Sequence, residues 1–224
     1  MRVFTNIGEF LPFILGGLTT TVQAFLFGAV LAYSIAIVAG LMRTSKLAVV
    51  RIVATIFVEL FRGTSLLVQM FFFAFVFPAL TPFTPSLFLA GGLALGFNYG
   101  AYASEVVRGA VLSVPEGQKE AAISLNMSKV QRMRFVILPQ AIRIMLPGIG
   151  NNSIELLKGT SLVYFISLAD MTYRADILRG ANTALSSQIE IYTYLLFTYF
   201  VLALPLIFLT RWLEKRASKG VSTA

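Results

Sequence analysis

Three long stretches of the chain carry no charged residue, and this feature constrains the fold more than any other. Residues 10–42, 63–104 and 191–210 contain no Asp, Glu, Lys or Arg over 33, 42 and 20 positions. A helix that crosses a bilayer needs about 20 mostly apolar residues. With 57% hydrophobic and 12% charged residues, the chain has too few charges to cover a water-soluble fold of 224 residues. The sequence predicts an all-α polytopic membrane protein, and it excludes a secreted soluble domain, a disordered chain and a typical cytosolic enzyme.

The charge-free stretches and their interruptions predict five transmembrane helices. The middle stretch is too long for one span and contains a turn-forming segment at 78–85, so one helix ends there and another begins. The fourth span is the least apolar because Arg143, Glu155 and Lys158 interrupt it. The segment 167–189 is predicted to be a polar loop with a short helix. The predicted spans are 12–41, 49–77, 87–108, 139–165 and 190–210.

The distribution of basic residues predicts the orientation of these spans. Loops on the cytoplasmic side of a membrane collect Lys and Arg. Of the 18 basic residues, 13 fall on one side of the predicted membrane and three on the other, while Arg62 and Lys158 lie inside spans. This bias predicts an extracytoplasmic N-terminus, a cytoplasmic C-terminus and a long cytoplasmic loop at 113–138. It also accounts for the net charge of +8 without a nucleic acid partner.

The residue types that are missing exclude several kinds of site. The chain has no Cys and no His, which excludes disulfides, Fe–S clusters and thiol catalysis and leaves no metal site to predict. It lacks the G-x-x-x-x-G-K-[ST] loop that binds nucleotide phosphates, and it lacks the H-E-x-x-H and G-x-S-x-G hydrolase motifs. We therefore expect a protein that is not an enzyme and that binds neither ATP by this route nor any cofactor.

The cytoplasmic loop at 113–138 has the pattern of two short helices joined by a turn. Pro115 suits the start of a helix, where its missing N–H costs nothing, and Glu116 favours the first turn. The alanines at 121–122 permit a partner to approach closely. Asn126 tolerates the left-handed conformation that a turn needs. Taken by composition alone, the loop is equally typical of an interfacial basic amphipathic segment.

The order of residues in this loop resembles a known docking element. The pattern P-x-G-Q-x-E-A-A, followed by L-P-Q-A at 138–141, resembles the "EAA" loop of ABC-importer permeases of the type I, MetI-like fold, in the branch that imports polar amino acids. The resemblance implies that the loop forms coupling helices that lie in a groove of a cytoplasmic ATPase. The family usually has Gly where this chain has Asn126. The residues to which the resemblance assigns ATPase docking are Pro115, Gly117, Gln118, Glu120, Ala121, Ala122 and Asn126.

The same resemblance implies a set of partners. A second permease subunit, identical or a sister chain, would enclose the path together with this one. Two cytoplasmic ATPases would use ATP and drive alternating access, and an extracytoplasmic binding protein would deliver the substrate. The charged residues at 170–179 either meet that binding protein or form a solvated loop. The location implied is the bacterial inner membrane, surrounded by lipid.

Two membrane segments repeat each other at a constant offset of 96 residues. Residues 59–67 and 155–163 share, in order, an acid, Leu, an apolar residue, a base, Gly, Thr, Ser, Leu and an apolar residue. The acid and the base are three positions apart, so they lie on one helical face and can pair. The Gly-Thr-Ser that follows is expected to loosen the helix. Glu59 lies eight residues past Arg51, so a helix along the membrane normal would carry it about 12 Å into the membrane.

These repeated segments are the predicted lining of the translocation path and its gate. Ionisable residues inside spans normally face an interior or water-filled cavity, where a substrate's ammonium and carboxylate groups could exchange with the internal pairs. The alternative is that the pairs are structural and hold helices together. The predicted path residues are Glu59, Arg62, Gly63, Thr64, Ser65, Asn98, Asn152, Glu155, Lys158, Gly159, Thr160 and Ser161.

Together these observations predict a permease subunit of an ATP-driven importer for polar amino acids or a similar small zwitterion. One alternative within the family is a compatible solute of the ectoine kind. It stays open because Glu155 stands where the family more often has an uncharged residue, and Gly159 where it more often has Asp. The alternative from a different class is an ion channel or membrane scaffold that has no ATPase.

Overall fold

The computed structural model describes residues 7–218, and all regular secondary structure in this range is helical. Arg2 and Lys219, which enter the charge distribution above, lie outside the described residues. The α-helices are α1 (Ile7–Leu15), α2 (Leu18–Met42), α3 (Ala48–Arg62), α4 (Leu66–Phe71), α5 (Phe77–Leu80), α6 (Leu87–Leu112), α7 (Glu116–Ser124), α8 (Lys129–Arg132), α9 (Leu138–Gly159), α10 (Met171–Ala181) and α11 (Leu185–Ser218). Two π turns, Phe72–Val76 and Met133–Ile137, and a 3₁₀ helix, Thr160–Ile166, complete the regular structure.

The centre of the fold is α6, which packs against α2, α3, α4 and α9. Its glycines at 92, 96 and 100 face α2. A Cβ atom added at Gly100 would lie 2.9 Å from the carbonyl oxygen of Ala32 and 3.0 Å from the Cβ of Ile35. Small residues at this spacing let two helix backbones approach closely, which is how helices associate in lipid, where burial of apolar surface gives little driving force.

The outward surfaces of the long helices are apolar. Val30 on α2 is 71% exposed, and Leu196 and Phe208 on α11 are 72% and 63% exposed. Soluble monomers rarely expose large contiguous apolar surface. These faces therefore suit contact with lipid acyl chains or with another membrane-embedded chain.

Within the described part of the chain, three helical stretches are long and apolar enough to cross a membrane: Gly8–Met42, Lys129–Ile166 and Leu185–Ala217. A fourth is obtained only when α3 is taken together with Leu66–Leu80, and these two are bent by 101°. The 26 residues of α6 give a length of about 39 Å at helical rise. That length also suffices to span a bilayer, although Asn98 and two tyrosines make α6 less apolar.

The segment 49–77, predicted as one span, consists of two helices with a sharp break. α3 ends at Arg62, the backbone is not helical over 63–65, and α4 begins at Leu66. A Cβ atom at Gly63 would lie 2.8 Å from the carbonyl oxygen of Glu59, so a side chain there would crowd the end of α3. The hydroxyl of Thr64 donates to a carbonyl oxygen one turn earlier at 2.8 Å. The Gly-Thr-Ser sequence therefore does more than loosen this helix, because it redirects the chain.

The remaining predicted spans and loops coincide with helices of somewhat different length. The span predicted at 12–41 covers the end of α1 and most of α2, and that at 87–108 lies inside α6. The span at 139–165 covers α9 and most of the 3₁₀ helix, and that at 190–210 lies inside the longer α11. The predicted loop at 167–189 contains the 11-residue α10 and the first residues of α11, which begins at Leu185.

Each of the two π turns lies just before a proline. Phe72–Val76 precedes Pro78, and Met133–Ile137 precedes Pro139. Because proline has no N–H to donate, the regular hydrogen-bond ladder cannot continue through it, and the wider π turn accommodates the gap. The second of these turns joins α8 to α9 without a break, so the cytoplasmic loop runs directly into the fourth predicted span.

Candidate functional site

The break between α3 and α4 is held in place by side chains of α4 and α6. The carbonyl oxygen of Phe61 accepts hydrogen bonds from the amide of Asn98 at 3.0 Å and from that of Gln69 at 2.9 Å. The hydroxyl of Tyr102 donates to the carbonyl oxygen of Arg62 at 3.2 Å. The last carbonyl groups of a helix have no partner within it. These three side chains therefore satisfy groups that the break would otherwise leave unpaired.

Only one of these three bracing side chains, Asn98, is among the residues predicted from the sequence. The bracing role of Gln69 could have been predicted, because it is the single polar residue in the apolar run 66–77 and lies in the first turn after the break. Tyr102 carried none, since tyrosine is common in membrane helices. The amide oxygen of Gln69 is buried and accepts no hydrogen bond from the described residues.

Five charged side chains, which we call the arginine–glutamate cluster, meet where α2, α3 and α6 approach one another. Glu105 lies at its centre: Nη1 of Arg62 is 3.1 Å from its Oε1, and Nε of Arg108 is 3.0 Å from its Oε2. Arg43 forms a third ion pair with the same carboxylate. Glu59 forms two longer ion pairs, at 3.5 Å with Arg62 and 3.6 Å with Arg43. The cluster holds three positive and two negative charges, so one positive charge is in excess.

The cluster contains the predicted Glu59–Arg62 pair and joins it to charged residues of two other elements. Arg43 directly follows α2, and its contact with Glu59 puts that carboxylate beside the end of α2. Arg43 and Arg108 entered the prediction only as cytoplasmic charges, because sequence spacing does not show contacts between distant helices.

The second repeated segment, 155–163, has a different structure from the first. Glu155 and Lys158 are both exposed, and neither forms an ion pair with another described residue. Gly159 packs directly against the ring of Tyr99. The buried Thr160 donates its hydroxyl hydrogen to a carbonyl oxygen three residues earlier at 2.6 Å. Here the helix continues as a 3₁₀ helix instead of bending. Tyr99 packs against the glycine and holds it in the helical conformation.

Consecutive residues of α6 connect the two repeated segments. Asn98 contacts the first through the carbonyl oxygen of Phe61. Tyr99 contacts the second with its ring against Gly159, and its carbonyl oxygen accepts a hydrogen bond from the amide of Asn152 at 3.5 Å. The structure therefore brings the two segments to neighbouring faces of one turn of α6.

Exposure divides the predicted path residues into two groups. The exposed ones are Glu59, Gly63, Thr64, Ser65, Glu155 and Lys158. The buried ones are Asn98, Asn152, Gly159 and Thr160, while Arg62 and Ser161 are partly buried. The first group is available to a ligand, whereas the second supports the breaks. Among residues 7–218 there is no group of three or more His, Cys, Asp or Glu side chains that could hold a metal ion.

The turn after α7 contains the left-handed residue that the sequence predicts. Asn126 has a φ of 57°. The N–H of Met127 donates to the carbonyl oxygen of Ala122 at 3.1 Å, and the N–H of Asn126 donates to that of Ile123 at 2.8 Å. This pair of bonds is the Schellman motif that closes a helix, and it requires a left-handed residue where Asn126 lies. Asn visits that conformation at lower cost than most residues with a side chain.

Replacing Asn126 is expected to change the order of α7 in a direction that depends on the substitute. Asn126→Ala should destabilise the turn by about 1 kcal/mol, because a Cβ without a compensating polar group is strained at positive φ. Asn126→Gly should leave the turn unchanged or more stable. Amide hydrogen exchange over 116–127 measures this directly. Equal exchange rates in both variants would contradict the role given to the left-handed turn.

The helix α7 presents most of the predicted docking residues outward. The exposed ones are Pro115, Gly117, Gln118, Glu120, Ala121 and Asn126. Ala122 is only 2% exposed, and Lys119 is partly buried three residues before it. The helix thus has an outer face and an inner face. Ala122 lies on the inner face, where its small size lets α7 pack closely, so in this chain it is not a surface residue.

The segment predicted to meet a binding protein is anchored by a buried carboxylate. Asp170 is fully buried at the start of α10, where its Oδ1 accepts a hydrogen bond from the N–H of Tyr173 at 2.8 Å. Its Oδ2 accepts one from the hydroxyl of Tyr199 at 3.2 Å. Asp176 and Arg179 form an ion pair at 2.8 Å on the exposed side of the helix. Asp170 is therefore a structural residue, and the exposed pair is the part of α10 open to a partner.

Burial of Asp170 is expected to make the stability of the protein depend on pH. Desolvation raises the pKa of its carboxyl from 3.8 to about 6, against the opposing effect of its hydrogen bonds. Because the folded state holds the proton more tightly than the unfolded state, stability should fall as the pH rises from about 4 to about 6, by roughly 3 kcal/mol. Thermal unfolding of the purified protein across this range measures the effect.

Asp170→Asn provides the matched control for this pH dependence. The amide oxygen of Asn keeps the hydrogen bond to the start of α10, and its NH₂ can donate to the Tyr199 hydroxyl. The variant should therefore unfold with a flatter pH profile and should match or exceed the parent above pH 6. The same slope in both proteins would assign the dependence to another group.

Comparison with known proteins identifies the family. Residues 32–219 match the family described as binding-protein-dependent transport system inner membrane component. The chain belongs to this family. The match confirms the resemblance to ABC-importer permeases that the loop at 113–138 predicts, and the family consists of membrane-embedded transport components that are not enzymes.

Individual relatives of the permease family match along most of the chain. A probable amino-acid ABC transporter permease protein, y4tF of Sinorhizobium fredii, is 39% identical over 89% of this chain and 83% of its own length. The L-cystine transport system permease protein TcyB of Bacillus subtilis is 35% identical over 96% and 90%, and the glutamine transport system permease protein GlnP of Escherichia coli is 36% identical over 92% and 93%. The crystal structure of an amino acid ABC transporter with histidines superposes with a TM-score of 0.86 at 32% identity, and the match covers 96% of this chain and 99% of that one. The permease fold is therefore shared along the whole described chain.

Proposed function

We propose that this permease is the path-forming subunit of an ATP-driven importer for polar amino acids. The observation that carries the proposal is the docking face of α7: residues whose order matches the coupling loop of ABC permeases are exposed together on one ordered helix. The relatives named for amino-acid, cystine and glutamine transport support the substrate class. A channel or scaffold without an ATPase is a poorer fit because it gives this exposed face no purpose.

The assembly we infer contains two permease subunits, two cytoplasmic ATPases and an extracytoplasmic binding protein in the bacterial inner membrane. The apolar, exposed faces of α2 and α11 offer surface for the second permease and for lipid. The outer face of α7 is the proposed ATPase contact. The exposed Asp176–Arg179 pair on α10 is the proposed contact with the binding protein. The sequence contains no G-x-x-x-x-G-K-[ST] loop, so we assign ATP hydrolysis to the partner subunits.

The translocation path is proposed to run along the two repeated segments, which contact neighbouring faces of α6. Glu59 and Glu155 are exposed, and so is Lys158, which gives the surface both signs of charge. Two buried amide oxygens, of Gln69 and Asn152, accept no hydrogen bond from the described residues, and each lies beside one segment. Unsatisfied buried acceptors are rare, and a rearrangement that exposed these two oxygens would offer them to a polar substrate.

The direct test is uptake by the reconstituted transporter. The permease, its ATPase and its binding protein are placed in vesicles, and uptake of labelled glutamine, cystine, arginine and ectoine is measured with and without ATP. We expect ATP-dependent accumulation of at least one amino acid. Accumulation of ectoine alone would replace the amino-acid assignment with a compatible solute, and ATP-independent flux would support a channel.

The inferred topology has five spans, with the N-terminus outside and the C-terminus inside, and the chain is well suited to testing it. Because the natural sequence contains no Cys, a single introduced Cys is the only thiol available for labelling. In intact cells, a membrane-impermeant maleimide should label Thr183→Cys, between α10 and α11, and should not label Ser124→Cys on α7. The reverse pattern would invert the orientation, and labelling of both positions would change the number of spans.

A further inference from the structure

A basic cleft lies behind the docking helix, and the path and docking faces described above do not use it. The cleft has a volume of about 460 Å³ and is enclosed by the loop after α2, the end of α6, α7, α8 and the π turn that follows α8. Its basic side chains are Lys46, Lys119, Lys129 and Arg132, and its apolar lining includes Leu47 and Ile137.

The positive charge of this cleft is largely uncompensated. Lys119 is paired with Glu116 at 2.7 Å. No carboxylate lines the cleft, and among residues 7–218 the side chains of Lys46, Lys129 and Arg132 form no ion pair. Like charges brought together around one space repel each other, so an anion bound between them would be stabilised.

The position of the cleft combines this charge with an apolar surface at the end of the long helices. Lys46 and Leu47 follow α2, and the end of α6 forms another wall. The polar headgroups of a bilayer lie at the ends of its spanning helices, and Leu47, which is 67% exposed, offers apolar contact beside the basic groups. A ligand that fits this cleft has a phosphate that pairs with Lys46, Lys129 and Arg132 and an apolar part that contacts the apolar lining.

We propose that this cleft binds the headgroup of an anionic phospholipid, with its phosphate between Lys46, Lys129 and Arg132. The ATPase is a poorer occupant because α7 contributes to the cleft only Lys119, a partly buried residue, and none of the exposed docking residues lines it. The lipid would thereby hold the loop after α2 and the docking helix together. The proposal requires a membrane-embedded chain but does not depend on which substrate is transported.

Lipid retained through purification tests the proposal. The full chain, with any subunits that co-purify, is extracted in mild detergent from membranes that contain phosphatidylglycerol and phosphatidylethanolamine, and the bound lipid is quantified by mass spectrometry. The triple variant K46Q/K129Q/R132Q is compared with R134Q/R143Q/R211Q, which removes the same number of exposed cytoplasmic charges outside the cleft. We expect the cleft variant to retain at least about tenfold less phosphatidylglycerol, since each basic group near an anionic lipid contributes several-fold to its affinity, and we expect the control to retain the parental amount.

Three outcomes would overturn the proposal. Equal loss in both triple variants would show a general effect of surface charge. Displacement of the retained lipid by millimolar inorganic phosphate, with no discrimination between phosphatidylglycerol and phosphatidylethanolamine, would assign the cleft to free phosphate. Unchanged lipid with reduced co-purification of the ATPase would make the cleft a protein contact. Thermal unfolding of both variants, measured alongside, confirms that each protein is folded when its lipid is counted.

Discussion

Glu105→Gln should lower the thermal stability of the permease far more than Glu59→Gln, although both carboxylates contact the same two arginines. Glu105 pairs with Arg62, Arg108 and Arg43, and its side chain is 24% exposed, whereas that of Glu59 is 57% exposed. Removing the central charge leaves a nearly buried Arg43 without its close partner. Losing one member of a buried pair costs about 3–5 kcal/mol, and the partial exposure of Glu105 lowers this cost, while an exposed pair contributes at most about 1 kcal/mol.

The two variants form a matched pair because the chemical change is the same and only its position in the arginine–glutamate cluster differs. Thermal unfolding in detergent and the yield of folded protein measure the structural effect. Uptake in vesicles adds a second reading: if Glu59 lies in the path, E59Q should impair transport while its stability stays close to that of the parent. Equal destabilisation by both substitutions would remove Glu105 from the centre of the cluster, and normal uptake by E59Q would make the pair purely structural.

Glu120→Lys should uncouple the permease from its ATPase. Glu120 lies on the exposed face of α7 and is not ion-paired with another described residue, so reversing its charge should leave the fold of the chain unchanged. A reversed charge in a complementary interface costs on the order of several kcal/mol through like-charge repulsion. We expect co-purification of the ATPase and ATP-driven uptake to fall by at least about tenfold.

The control for this charge reversal is Glu214→Lys, the same substitution near the end of α11, beyond the predicted span 190–210 and outside the proposed docking face. It should retain both the bound ATPase and ATP-driven uptake. If E120K binds the ATPase and transports like the parent, the assignment of the ATPase contact to the outer face of α7 is wrong. If both variants lose the ATPase, the interface depends on overall cytoplasmic charge.

Local features of this fold follow from the sequence, while contacts between distant segments do not. The left-handed turn at Asn126 is predicted because only a few residue types tolerate positive φ. The Glu59–Arg62 pair is predicted because a spacing of three sets both on one helical face. The ion pair between Arg43 and Glu105 is not predicted, because the two residues are 62 positions apart and meet only through the packing of their helices.

The repeated Gly-Thr-Ser shows most directly where sequence reasoning ends. The same three residues redirect the chain by 101° after α3 and tighten it into a 3₁₀ helix after α9. In the first copy, Asn98, Gln69 and Tyr102 satisfy the carbonyl groups that the bend frees. In the second, Tyr99 covers the glycine. The residues that decide between the two outcomes lie elsewhere in the chain, so the motif predicts an interruption but not its shape.

The continuous helical run from Lys129 to Ile166 connects the region of the docking helix to the second repeated segment. One end of this 38-residue rod adjoins the docking helix, and the other lies beyond the second repeated segment. An α-helix resists axial compression, so we expect a displacement at the end that adjoins the docking helix to reach the far end. The compliance of the rod is concentrated in its two irregular turns, Met133–Ile137 and Thr160–Ile166, where the hydrogen-bond geometry is poorer. Pro147, inside α9, has no N–H to donate and adds a third weak point in the middle of the helix, so the run is expected to bend at both ends and at its centre.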